Sequence, residues 1–173
     1  MKPAVFLDRD GTIIEDSGFI DDPARVRVLP TVIDALRLFA ERGFATVVVS
    51  NQSGVARGYF GDDAVQAVNA EIARQLNADG IALDAWYWCS HYDDDCDCRK
   101  PEPGMIERAL REHPITLERG AVVGDRGSDI ELGQRVGIAS VLVPGPIAYA
   151  GPEPDFRAQT LLEAAEWIVN RGD

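Results

Sequence analysis

Lysine is almost missing from this chain. Only Lys2 and Lys100 among its 17 basic residues are lysines, and 29 acidic residues leave a formal net charge of −12. So little positive charge argues against nucleic acid and against an anionic membrane as partners, since both are bound by neutralising phosphates. A small anionic ligand remains open if the positive charge gathers at one site. Long apolar runs are lacking too: none approaches the roughly 20 residues that a membrane span requires. Met1 to Ala4 lead directly into an apolar stretch and leave no room for a leader, so the expected location is cytoplasmic. Cysteine is scarce, and Cys89, Cys96 and Cys98 all fall within ten residues, together with His91, one of two histidines. That clustering points to metal and away from a disulfide framework. Internal repeats, low-complexity tracts and linkers are absent, so residues 1–173 read as one domain, long enough to bury a full core.

What is present is an alternation of short apolar runs with amphipathic stretches. Val5-Phe6-Leu7 reads as a buried strand, and Asp8-Arg9-Asp10-Gly11-Thr12 follows where it leaves the sheet. Phe44 to Val49 is a second, β-branched run, typical of a strand covered on both faces. Ala82 to Trp88, Gly120 to Asp125 and Ala139 to Val143 supply three more. Between them, helices are expected from Pro30-Thr31 through Phe39, from Asp62 to Ala78, from Pro103 through Leu110, from Ile130 to Gly137, and over Leu161 to Ile168. Ile13 to Leu29, Val55 to Gly61 and Pro144 to Asp155 read as loops. With right-handed crossovers this order gives an α/β, Rossmann-like domain: a parallel sheet of five to six strands, helices on both faces, and no gap long enough for a large cap domain.

In such a sheet the carboxyl ends of the strands share one edge, where ligands bind. Asp8, Asp10, Ser50, Asn51 and Asp125 therefore converge by topology, with Asp8 and Asp10 pointing the same way and Arg9 elsewhere. Carboxylates from two strands suit Mg²⁺ and leave an acid free for chemistry. Ser50 and Asn51 are suitable donors to a phosphoryl oxygen, and Lys100 offers a point charge. Cys89, His91, Cys96 and Cys98 make a Cys₃His set for tetrahedral zinc with no open position, hence a structural site. That zinc would tie Arg99 and Lys100 against the active edge, with Asp93-Asp94-Asp95 as a solvated loop tip. Trp86 and Trp88 read as packing residues, and His113 as an exposed helix end.

These motifs resemble the haloacid dehalogenase (HAD) superfamily of phosphohydrolases: Asp-x-Asp-x-Thr at Asp8, Asp10 and Thr12, then Ser50, Lys100, and Gly124-Asp125 with Asp129, in that order. The resemblance spans almost the whole chain. It implies Asp8 as nucleophile, forming an aspartyl-phosphate, and Asp10 as general acid and then base. It also implies Mg²⁺ on Asp8, the carbonyl of Asp10 and Asp125, support of the transferring phosphoryl group by Ser50 and Lys100, and Asp129 orienting Lys100 or metal-bound water. The zinc loop is similar to that of the branch acting on heptose 1,7-bisphosphate and histidinol phosphate. Asn51 to Gly58 and Cys98 to Met105 fit the heptose side better, while the short span from His91 to Cys96 occurs on the histidinol side. By this resemblance the partner is a phosphorylated sugar, and Asp16, Ser17, Gly18, Phe19, Asn51, Gln52, Ser53, Arg99 and Arg126 contact substrate; a monomer is expected. Arg57 meets a second phosphate or else flanks a surface helix. A phosphoacceptor domain would also use a strand-end aspartate, and a zinc-stabilised binding module would use the cysteines. The first has no place for Asp10 or zinc, and the second needs no acidic strand ends.

Overall fold

The computed structural model describes residues 1–92 and 95–171; Asp93 and Asp94 of the acidic run lie outside them. Lys2–Leu7 (β1) sits in mid-sheet, which is why Ala4 to Leu7 have no exposed surface at all. Around it the strands Ala45–Asn51 (β2), Ala85–Cys89 (β3), Ile115–Gly124 (β4), Ala139–Leu142 (β5) and Phe156–Arg157 (β6) complete one sheet in the order β3-β2-β1-β4-β5-β6. Every pairing is parallel, and the register sets Leu7 beside both Val48 and Val123.

Period-two alternation splits the core in two. Val5, Leu7, Val48, Val123 and Val141 face one side, covered by Val32–Glu41 (α1), Asp62–Ala78 (α2) and Leu161–Asn170 (α5). Ala4, Phe6, Val47, Val49 and Val122 face the other, against Gly104–Glu112 (α3) and Leu132 of Gly127–Val136 (α4). Strands buried on both faces must be apolar throughout, and this accounts for the unbroken β-branched runs.

Several elements differ from the sequence reading: α4 already starts at Gly127, and Pro23–Arg25 form a 3-10 turn inside the expected loop. β4 starts five residues earlier than expected, at Ile115. Glu118 and Arg119, exposed, interrupt its apolar pattern, and Arg119 has φ +60° where the register against β1 shifts. β3 starts at Ala85 because Asp84 leaves the strand, its carboxylate accepting from the amide and hydroxyl of Thr46 at 2.8 and 3.3 Å. The sixth strand, two residues long, follows the loop that ends at Asp155 and carries no periodic signal. Trp86 packs against the core, as expected of it; Trp88 donates its indole N–H to Asp62 at 2.7 Å.

Candidate active site

The strand order reverses at β1, whose successor β2 lies on one side and β4 on the other. A crevice opens at such a switch point, outside the carboxyl ends of the strands. Here Asp8 leaves β1 and Asp125 leaves β4, and both are buried, with Asp129 on the first turn of α4 beneath them. Above lies a cavity of about 640 Å³ lined by Asp8, Asp10, Asp16, Gly18, Phe19, Asn51, Gln52, Ser53, Arg99, Lys100, Arg126, Ser128, Asp129, Pro146 and Ile147.

Lys100 is the cation at its floor. Its ammonium donates to Asp8 Oδ1 at 2.8 Å, Asp129 Oδ1 at 2.7 Å and the Val49 carbonyl at 2.7 Å, so all three of its protons are placed. Burial alone would push its pKa down, but the two carboxylates outweigh burial and hold it above the ordinary lysine value. The same burial raises Asp8, which Lys100 partly offsets and Asp129 reinforces. Asn51 clamps the lysine in place: its Oδ1 accepts from the Lys100 amide at 2.9 Å and its Nδ2 donates to the Lys100 carbonyl at 3.2 Å. Expected to contact substrate, Asn51 does line the cavity, but its amide is already committed to positioning Lys100.

Asp125 holds the strongest sign of a cation site. Both of its carboxylate oxygens are buried without a hydrogen-bond partner among the described residues. Arg126 Nε comes no nearer than 3.4 Å. Burial first, then the charges of Asp8 and Asp129, push Asp125 up to about 7. Gly11, at φ +86°, has no room for a side chain, since a Cβ there would stand 2.5 Å from Asp125 Oδ2. Carboxylate oxygens of Asp8, Asp125 and Asp129 lie within 4.8 Å of one another, a hard-oxygen cluster suited to a divalent cation. The residues fit Mg²⁺.

They fit zinc at the other site as well. One donor atom from each of Cys89, His91, Cys96 and Cys98 falls within 4.8 Å of the rest. Cys89 Sγ lies 3.4 Å from His91 Nδ1 and 3.7 Å from Cys96 Sγ, and His91 Nδ1 lies 3.3 Å from Cys98 Sγ. Such separations match the edges of a tetrahedron with Zn–S of about 2.3 Å and Zn–N of about 2.0 Å. They are too long for disulfides, and the three cysteines are free. Burial and then the neighbouring thiols push Cys98 well above the ordinary cysteine range, a state that a bound cation reverses. The cluster ends two residues before Lys100, so a zinc bound there would fix the loop that delivers the lysine.

The remaining expected contacts divide. Asp16 accepts from Arg126 Nη2 at 2.9 Å and from the Gly18 amide at 3.0 Å, so all three meet at the cavity wall. Gln52 Nε2 is shared between Ser50 Oγ at 2.7 Å and Asp10 Oδ2 at 3.0 Å. Ser50 is 2% exposed and lies behind Gln52, outside the cavity lining. Ser17 is turned away: its hydroxyl and carbonyl both accept from Arg25 at 3.0 Å. Arg57 is also outside the lining, its guanidinium 3.6 Å above the Tyr92 ring and 5.5 Å from that of Phe19.

Two arginines of consequence escaped the sequence reading. Arg25, six residues beyond Phe19, gathers the carbonyls of Ser17 and Gly18 and so shapes the loop over the cavity. Arg9 does point away from the shared direction of Asp8 and Asp10, into the protein, yet its guanidinium returns to Asp10 at 3.0 and 3.1 Å. Its position between two strand-end aspartates was the only available signal.

A HAD-hydrolase-like family model matches residues 97–164, which carry Lys100, Asp125 and Asp129. A D-glycero-beta-D-manno-heptose-1,7-bisphosphate 7-phosphatase from Mesorhizobium japonicum is 37% identical over 95% of this chain and 78% of its own length. The chain belongs to this family of HAD-like phosphatases. A second phosphatase of the same name, from Yersinia pestis, is 35% identical over 97% of the chain and 90% of its own length. The crystal structure of D,D-heptose 1,7-bisphosphate phosphatase from B. bronchiseptica, complexed with magnesium and phosphate, superposes with a TM-score of 0.85 at 30% identity, covering 98% and 99% of the two chains. The present phosphatase is thus a hydrolase of phosphate esters with the α/β fold expected of it.

Proposed function

We propose that this phosphatase removes the C7 phosphate of D-glycero-D-manno-heptose 1,7-bisphosphate through an aspartyl-phosphate on Asp8. The observation that carries the reading is the buried set Asp8–Lys100–Asp129 at the floor of a cavity whose wall presents Asp10. Asp8 attacks phosphorus; the P–O bond to C7 breaks as the P–O bond to Asp8 forms. Asp10 gives its proton to the departing C7 alkoxide, then removes one from the water that splits the acyl phosphate, returning Asp8 as carboxylate and releasing inorganic phosphate. Lys100 holds Asp8 and keeps a fixed positive charge at the floor beside the reacting phosphoryl group, where such charge counts most in the transition state. Asp8, Asp125 and the Asp10 carbonyl would hold Mg²⁺, which when bound supplies the charge that lets a phosphate approach three carboxylates. Cys89, His91, Cys96 and Cys98 would hold a structural Zn²⁺.

Asp16, Gly18, Phe19, Ser53, Arg99 and Arg126 line the wall beyond Asp10 and are the candidates for the sugar and its second phosphate. Arg126 is positioned for anion contact, held by Asp16 on one side and 3.4 Å from Asp125 on the other. Histidinol phosphate is the alternative within the class, favoured by the four residues between His91 and Cys96. We read the chain as a cytoplasmic monomer with a phosphorylated sugar as its partner and neither nucleic acid nor membrane. The net charge of −12 speaks against nucleic acid and anionic membrane as partners, and no helix among the described residues is long and apolar enough to cross a membrane.

Product analysis by ³¹P NMR tests the reaction. Heptose 1-phosphate and inorganic phosphate should accumulate in equal amounts, and Asp8→Asn should abolish both. Release of the C1 phosphate, or full turnover by Asp8→Asn, would contradict the proposal.

A further inference from the structure

We propose that Arg9, braced by Asn69 of α2, is the positioning residue that fixes Asp10 for its two proton transfers. The inference rests on the acid–base role given to Asp10 above. Arg9 has no exposed surface. Its carbonyl accepts the amides of Ile13 and Ile14 at 2.9 and 3.1 Å, which pins it at the foot of the turn after β1. Its guanidinium uses both edges of the fork. Nε and Nη2 donate to Asp10 Oδ1 and Oδ2 at 3.0 and 3.1 Å, and Nη1 donates to Asn69 Oδ1 at 3.0 Å.

Packing does not explain this arrangement. Burying a guanidinium is costly, and an apolar side chain of that volume commonly serves stability as well or better. Arg9 and Asp10 lie in the turn after β1 ends at Leu7, where strand alternation no longer sets side-chain direction, and the Arg9 carbonyl bonds to Ile13 and Ile14 hold that turn. Asn69 is the polar member of an otherwise apolar buried row on α2, with Val65, Val68, Ile72 and Leu76. No residue of α2 lines the cavity, yet Asn69 reaches it through Arg9 and Asp10. Gln52 Nε2 holds Asp10 from a second direction at 3.0 Å. A carboxylate that must first meet a leaving oxygen and then a water at the same point gains from being held within a fraction of an ångström, and a planar bidentate fork provides that where a single ammonium does not.

The test compares Arg9→Met, Arg9→Lys and Asn69→Ala, each made alone and with Asp10→Ala, in the metal-loaded enzyme. With heptose 1,7-bisphosphate, Arg9→Met should lower kcat by about 10- to 100-fold, part of the span that acid–base groups contribute, with KM within about twofold. Asn69→Ala should lower it by about 3- to 10-fold, and Arg9→Lys should recover part of the loss seen with Met, because it restores charge but not the fork. Since Arg9 acts through Asp10, none of the three should slow Asp10→Ala further. With p-nitrophenyl phosphate, whose leaving group needs no proton, Arg9→Met should keep a burst of one nitrophenol per chain while steady turnover falls. Wild-type kcat in a folded Arg9→Met, additive losses on Asp10→Ala, or a burst that shrinks in step with the rate would overturn the proposal. If Arg9→Met does not fold, Asn69→Ala decides by the same measures. Wild-type turnover by Asp10→Ala would instead remove the acid–base assignment itself, an outcome separate from a failure of Arg9 alone.

Discussion

Lys100 shows most plainly how single residues set this site. Its ammonium satisfies two carboxylates that would otherwise stand together, buried, as like charges. Lys100→Met should therefore destabilise the fold by about 3–5 kcal/mol, the usual cost of leaving buried charges unpaired. It should also lower kcat by at least about 100-fold, since a fixed charge at a developing oxyanion is lost. Urea denaturation and phosphate release measure the two effects separately, and a stable but inactive variant would assign Lys100 to chemistry alone. Asp8, Asp125 and Lys100 were legible in the sequence because a carboxylate at the end of an apolar run, or a lysine in a chain with two, is marked by position. Arg9 and Arg25 were not, because what defines them is a contact: with Asn69 sixty residues away, and with carbonyls of a loop that has no periodicity.

Among the elements, α3 and β3 are joined at a titratable point. Tyr87 donates its phenol to Glu112 at 2.7 Å, and Glu112 also accepts from Arg108 at 2.8 Å. Burial, and then the Glu112 carboxylate, push Tyr87 up to about 12 from an ordinary value of 10.0. A raised acid stabilises the fold while it stays protonated, so its contribution is complete below pH 10 and fades as the pH rises towards 12. The stability difference between the wild type and Tyr87→Phe should be constant from pH 7 to about 9.5 and shrink above it; a difference growing with pH would contradict the assignment. Elements were legible where burial on both faces demanded continuous apolar runs, as in β1, β2 and β5. The first half of β4 was hidden by Glu118 and Arg119 at a register shift, and β6 by its length of two residues.

For the whole molecule, two candidate metal sites share one short connection. The Cys₃His cluster ends at Cys98 and the lysine of the active edge is Lys100, itself clamped to β2 through Asn51. Removing zinc should consequently free the loop that carries Lys100. A zinc-selective chelator should lower the melting temperature and abolish turnover, with activity returning on zinc but not on Mg²⁺ alone. A Cys96→Ser variant with wild-type stability and kcat would show the cluster to be dispensable. The sheet edge on which the aspartates meet followed from the βα alternation, because strands that all run parallel bring their carboxyl ends to one edge. The course of the loops around the cavity did not follow, because loops carry no periodicity, and Ser17 and Arg57 stand outside its lining.

The central claim, a phosphatase shaped for a heptose bisphosphate, is tested most directly by kcat/KM for both anomers of heptose 1,7-bisphosphate beside histidinol phosphate, with Mg²⁺ and zinc present. The account predicts that one anomer exceeds histidinol phosphate by at least ~100-fold, equivalent to about 2.7 kcal/mol of transition-state discrimination. Equal constants, or a preference for histidinol phosphate, would contradict it.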